Sequence, residues 1–158
     1  MTPGSPRILR AAVASIILAT LLGACGTPRE ADPSDLLDAV RTGDQEAALR
    51  ALDGGADPNA KDGEGRTALM YASRNGLIAV RLLIRKAADL NAQADDGRTA
   101  LMEAALTCNK ALVESLLENG ARKDLKDGTG RKASDYVPLE STQPECAAVR
   151  QLVRGPPT

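Results

Sequence analysis

The segment GRTALM occurs at residues 65–70 and again at 97–102, and a worn copy, GRKASD, stands at 130–135. The copies start 32 and 33 residues apart. Self-similarity at a fixed period of roughly 20–50 residues marks a solenoid, in which each unit is too small to bury its own apolar face and does so against its neighbours. Three or more units are needed for a continuous core, and a chain of 158 residues has room for about that many.

Composition narrows what those units are made of. The chain has no Phe and no Trp, and its only tyrosines are Tyr71 and Tyr136, so the core must come from Leu, Val, Ile and Ala. Such a core favours small, closely packed helices. Twenty basic and 21 acidic residues leave a net charge of −1, with none of the basic striping that phosphate backbones require, so no nucleic-acid partner is expected. The absence of His removes the commonest general base and the commonest metal ligand together.

Residues 1–24 are a different kind of sequence. MTPGSPRILR carries Arg7 and Arg10 without an acid, AAVASIILATLL is an unbroken apolar run, and LGAC closes it with small residues. This is the order of a secretory signal, and the run at 11–24 is shorter than the roughly 20 residues a membrane span wants. Leu22-Gly23-Ala24-Cys25 resembles the bacterial lipobox, which implies that Cys25 is the lipid-modified first residue of the mature protein. Gly26 follows where an Asp would resemble the inner-membrane retention signal, so a periplasm-facing anchor in the outer membrane is expected. Without residues 1–24 the formal charge becomes −3, since two arginines and no acids are lost. Residues 25–33, CGTPREADP, are polar and aperiodic and read as a tether of about 9 residues, reaching roughly 30 Å when extended.

From residue 34 to 154 the pattern is helical. Thr67 precedes Ala68, Leu69 and Ala72, and Thr99 precedes Leu101, Ala104 and Ala105, so each threonine is placed to cap a short helix with one apolar face. A second helix follows in IAVRLLI at 78–84 and in ALVESLLENGA at 111–121, where Leu112, Val113, Leu116 and Leu117 form one stripe and Gly120 can end the helix with a left-handed residue. The order Gly-x-Thr-x-Leu, an Ala pair, a paired-Leu helix, Gly-Ala-Asp and Asn-Ala resembles the ankyrin repeat over about residues 34–154. GADPNAKD at 55–62 and AADLNAQ at 87–93 are similar to the family's links between repeats. The resemblance implies an all-α ankyrin-repeat solenoid of about four stacked helix-turn-helix units with short hairpin-like turns, the first and last units acting as caps, and a tail at 155–158.

Departures from the family pattern carry their own expectations. Its usual Pro is Ala68 and Ala100 here and its usual His is Met70 and Met102, so the hydrogen bonds that His makes between repeats are lost, and some rigidity with them. The second unit is one residue short between its helices near NGLIA, and Ala87 occupies a left-handed site where Gly is usual, at a cost of about 1 kcal/mol. In the fourth unit Pro138 and Pro144 fall between the helices, and Pro138 should end the first of them. Cys108 and Cys146 remain once Cys25 is set aside. In an exported chain they are a candidate disulfide, set in equivalent regions of adjacent repeats, with two inert buried thiols as the alternative.

GEGRTA at 63–68 and GTGRKA at 128–133 fit a dinucleotide fingerprint, but NAKD and DLKD precede them where a buried strand is required, so both read as tight turns. Asp95-Asp96 lacks the ligand spacing of a calcium loop. No nucleophile stands with a His base, so no catalytic residue, metal or cofactor is expected and the chain is read as non-enzymatic. The ankyrin resemblance implies a protein partner held by the turn tips and first helices. The tips present Asp62, Glu64 and Arg66, then Asp95, Asp96 and Arg98, then Asp127, Thr129 and Arg131. The first helices add Met70, Tyr71 and Arg74, then Met102, Glu103 and Leu106, with Tyr71 and the methionines as anchors. A lipid-tethered, monomeric docking module is the leading expectation, and an envelope assembly protein acting through self-association is the alternative.

Overall fold

A computed structural model of the chain describes residues 33–139 and 142–154. The expected signal at 1–24, the lipidated Cys25, the tether as far as residue 32 and the tail at 155–158 lie outside the described residues. Eight helices follow in order: α1 (Pro33–Thr42), α2 (Gln45–Asp53), α3 (Ala68–Asn75), α4 (Leu77–Arg85), α5 (Ala100–Leu106), α6 (Lys110–Glu118), α7 (Ala133–Tyr136) and α8 (Pro144–Arg154). They pair into four units, α1–α2, α3–α4, α5–α6 and α7–α8, and the fold among the described residues is an all-α solenoid. The only β pairing there is an isolated bridge between Lys61 and Thr67.

Two layers result. The inner helices stack as α1 on α3, α3 on α5 and α5 on α7, and the outer helices as α2 on α4, α4 on α6 and α6 on α8. Small side chains allow the inner stack: Ala39, Ala72, Ala104 and Ala105 are all buried where backbones approach. Leu36, Leu69 and Leu101 fill the space between layers, joined from the outer helices by Val80, Leu83, Leu112, Val113 and Leu116. Burying each such branched side chain contributes about 1.5–3 kcal/mol, and no unit could bury its own set alone.

Identical caps end the outer helices of units 1–3. Ala56, Ala88 and Ala121 donate to the carbonyls of Ala51, Leu83 and Leu116, each bond 3.0 Å long, and the residue before each donor has positive φ: Gly55 at 93°, Ala87 at 59° and Gly120 at 100°. This is the six-to-one bond of a Schellman cap. The left-handed Ala87 is therefore real, and so is the missing residue of unit 2, where Gly76 alone separates α3 from α4. Two expectations are corrected. Thr67 makes no cap, and its buried Oγ1 has no partner among the described residues, whereas Thr99 Oγ1 accepts from Met102 N at 3.4 Å. Pro144 does not lie between helices but opens α8, where a missing N–H costs nothing. Pro138 does follow the short α7, whose last turn gives way to extended backbone at Val137.

Backbone bonds between turn tips link successive units. Glu64 O accepts from Asp95 N at 3.1 Å, and Asp96 O from Gly128 N at 2.8 Å. Gly97, at φ +79°, permits this approach, since a Cβ there would stand 2.6 Å from Gly128 N. A second ladder runs through asparagines: Asn59 Oδ1 accepts from Asp89 N at 2.6 Å and Asn91 Oδ1 from Arg122 N at 2.8 Å. Gln93 Nε2 donates to Lys126 O at 2.9 Å, and Lys61 Nζ to Gln93 O at 3.0 Å. Cys108, left-handed between α5 and α6, is disulfide-bonded to Cys146 on α8 with the Cα atoms 4.6 Å apart. Closing a loop of 38 residues in the unfolded chain stabilises unit 4 by about 4 kcal/mol on the chain-entropy account.

Candidate partner-binding face

The inner helices and turn tips present one continuous row of polar side chains, fixed by contacts within the protein. In unit 2 the Tyr71 hydroxyl donates to Asp62 Oδ2 at 2.6 Å, and Asp62 Oδ1 accepts from the backbone N–H groups of Glu64 and Arg66, both at 2.9 Å. Burial opposes the Asp62 charge, but the Tyr71 hydroxyl and the two N–H donors outweigh it and hold the carboxyl below its usual range. The same Asp62 bond, with burial behind it, raises Tyr71. Arg41 of α1 lies over the Tyr71 ring, 5.6 Å from its centroid.

Unit 4 repeats the arrangement more tightly. The Tyr136 hydroxyl donates to Asp127 Oδ2, and Asp127 Oδ1 accepts from Thr129 N at 2.9 Å and Arg131 N at 2.8 Å. The Tyr136 bond first, with the Thr129 and Arg131 donors overcoming burial, drives Asp127 far below the usual carboxylate range. Two guanidiniums lie over the ring, Arg98 at 4.8 Å and Arg131 at 4.7 Å from its centroid, and both also donate to its hydroxyl oxygen. Cation–π pairs of this kind contribute about 0.5–2 kcal/mol.

Between them Glu103 occupies the position of the two tyrosines. It is 2% exposed, with Arg98 Nη1 2.9 Å from Oε1 and Arg74 Nε 3.6 Å from Oε2. Burial disfavours the Arg98 charge, but the Tyr136 hydroxyl and Glu103 overcome that and raise its pKa.

Placement of the expected contact residues is mixed. Glu64, Asp95, Asp96, Thr129, Arg131, Arg74 and the edge of Leu106 reach solvent, while Asp62, Arg66, Tyr71 and Arg98 are half-buried. Four expectations are overturned. Met70 and Met102, 3% and 1% exposed, point between helices as core filler, and Glu103 and Asp127 are buried under the arginines that pair with them. None of the four offers a partner a free surface. Sequence reasoning missed Arg41, although its spacing of 33 residues from Arg74 places both on the same helix face one unit apart.

What the row presents outward is guanidinium, the edge of one tyrosine and the tip carboxylates of Glu64, Asp95 and Asp96, while the carboxylates of Glu103 and Asp127 beneath are already occupied. Among the described residues no group of three or more His, Cys, Asp or Glu is placed to hold a metal ion. The ankyrin-repeat family model, in three copies, matches residues 36–127. No curated protein matches the chain.

Proposed function

Because this chain belongs to the ankyrin-repeat family, whose units serve protein–protein interaction, we propose that it is a lipid-tethered docking module of the bacterial envelope that holds one protein partner on its inner-helix face. The observation that supports this reading is the pre-set row itself. Arg41, Tyr71, Arg74 and Arg131 are each held by a ring, a carboxylate or both, yet keep part of their surface open. Side chains ordered before binding lose little rotamer freedom on contact, and Tyr and Arg are the residues that most often carry interface energy. Cys25 supplies the anchor in this reading, and the module acts by holding its partner at the membrane.

The test is crosslinking in cells of the full-length protein, comparing the unaltered chain with Arg41→Glu plus Arg74→Ala, two changes on exposed guanidiniums. One dominant captured protein, lost in the variant, is the expected result. Capture of further copies of the chain alone would replace docking with self-assembly. A Cys25→Ser form that still fractionates with membranes would remove the lipid anchor.

A further inference from the structure

The outer helices are not alike. α4, Leu77–Arg85, has no acid and the most apolar sequence of the three that face solvent in units 1–3. Its core side is accounted for by the buried Val80 and Leu83. On its outer side Ile78 is 63% exposed, and on α2 the neighbouring Leu49 is 43% exposed. These two, with Leu82, Glu46, Arg81 and Arg85, line one shallow groove.

Charges around the groove divide in the same way. Glu46 pairs with Arg50, Asp53 with Lys86 and, on α6, Glu114 with Lys110. Arg81 and Arg85 take part in no ion pair among the described residues, although both also line the next groove along, where Glu114 and Glu118 face them from α6. Two free guanidiniums beside two exposed aliphatic side chains make an amphipathic strip, apolar at Leu49 and Ile78 and cationic at Arg81 and Arg85.

We propose that this face of α2 and α4 rests on the anionic phospholipid surface of the membrane, with Ile78 and Leu49 entering the boundary between headgroups and acyl chains and Arg81 and Arg85 meeting phosphates. The inference rests on the lipid tether proposed above. Size decides against a protein occupant: two side chains fall far short of the roughly 1,200 Å² that a stable protein interface buries. A bilayer needs no such area once the domain is held beside it. A tether of about 9 residues reaches at most roughly 30 Å and leads into unit 1, which carries half of the strip, so contact becomes an intramolecular event at high effective concentration. Aliphatic side chains flanked by arginines on one helix face are the composition that lies in an anionic interface, with the guanidiniums extended toward phosphate.

The chain contains no Trp, so a single introduced indole reports without background. Ile78→Trp in the full-length lipidated protein, in vesicles of phosphatidylethanolamine and phosphatidylglycerol with brominated acyl chains, should lose its emission to quenching. The loss should disappear when Arg81→Glu and Arg85→Glu are added. Leu106→Trp, on the opposite side of the solenoid, should keep its emission, and Leu49→Trp provides a second reporter in the groove should Ile78→Trp alter the circular dichroism. Protein that floats with the vesicles while neither groove reporter is quenched overturns the proposal and leaves the tether intact. Blue-shifted emission at Ile78→Trp that bromine does not touch overturns it in favour of a protein covering the groove. Failure of the unaltered protein to float overturns this inference and the tether together.

Discussion

Tyr71 in α3 and Tyr136 in α7 donate to Asp62 and Asp127 of their own turn tips, whereas the equivalent residue between them, Glu103 in α5, faces a tip where the Asp has become Ala94. Donor and acceptor have changed together. In units 2 and 4 the inner helix is pinned to its own tip. In unit 3 the pin is an ion pair, and its partners come from two units: Arg74 from unit 2 and Arg98, which also covers the Tyr136 ring of unit 4. The position therefore carries a polar side chain held either by a local hydrogen bond or by ion pairs that link three units, and in the second case Glu103 Oε2 has Arg74 at 3.6 Å but no hydrogen bond among the described residues. Asp96 completes the substitution, accepting from Arg98 N at 3.0 Å as Asp62 and Asp127 do for Arg66 and Arg131.

The strongest way to separate the copies is to delete the rings. Tyr136 is buried and held by two guanidiniums, so Tyr136→Ala should cost about 3–4 kcal/mol in urea unfolding followed by circular dichroism. Tyr71 is half-buried under one guanidinium, and Tyr71→Ala should cost about half of that. Equal losses would mean that the two couples are interchangeable and that the second guanidinium over Tyr136 contributes nothing.

Unit 3 can be tested by conversion. Glu103→Ala removes a buried carboxylate shared by two arginines. Because those arginine side chains keep 53% and 22% of their surface in solvent, the cost should be about 2 kcal/mol rather than the larger value of a fully buried pair. Ala94→Asp with Glu103→Tyr rebuilds the pattern of units 2 and 4. The double variant should be more stable than the sum of its single changes, since Ala94→Asp alone sets a second carboxylate near Glu103. Strict additivity would break the comparison.

A smaller difference should appear with acid. Asp127 has a folded pKa below its unfolded value of about 3.9, so its contribution is present above that value and is lost as the pH falls through the folded one. Tyr136→Phe removes the largest cause of that depression. The gap in urea midpoint between the unaltered protein and Tyr136→Phe should therefore stay constant from neutral solution down to about pH 4 and narrow only as the pH falls from there toward the folded value of Asp127. A gap that stays constant throughout would show that the Tyr136 bond does not act through the Asp127 charge.

Much of this was readable in the repeat. The four helix pairs, the left-handed Ala87, the shortened junction at Gly76 and the approach of Cys108 to Cys146 all follow from aligning the units, because stacking forces equivalent residues into equivalent places. What alignment did not disclose is which polar side chains are consumed internally. Glu103 and Asp127 read as exposed charges because nothing in the repeat pattern shows that Arg98 and Arg74 fold over the first, or that Tyr136, Thr129 and Arg131 close over the second. Met70 and Met102 read as anchors because Met serves both surfaces and cores, and only the helix register decides between them. Thr67 and Thr99 have the same neighbours in sequence, yet only Thr99 caps its helix, and we have no physical account of that difference.

The finest comparison concerns the three outer-helix caps, where the same six-to-one bond closes over Gly55, Ala87 and Gly120. At 59° the Ala87 Cβ crowds its own backbone, a strain that glycine does not carry. Ala87 is exposed, so its methyl group contributes little packing in return. Ala87→Gly should therefore stabilise the protein by about 0.5–1 kcal/mol, the relief of strain exceeding the entropy that glycine gains in the unfolded chain. The reverse changes isolate the cause. A Cβ at Gly55 or Gly120 would meet nothing within 4 Å, so Gly55→Ala and Gly120→Ala should each destabilise by a similar amount through φ alone. If Ala87→Gly lowers the urea midpoint while the reverse changes leave it unmoved, unfolded-state entropy outweighs left-handed strain at this cap, and the missing glycine of unit 2 is no defect.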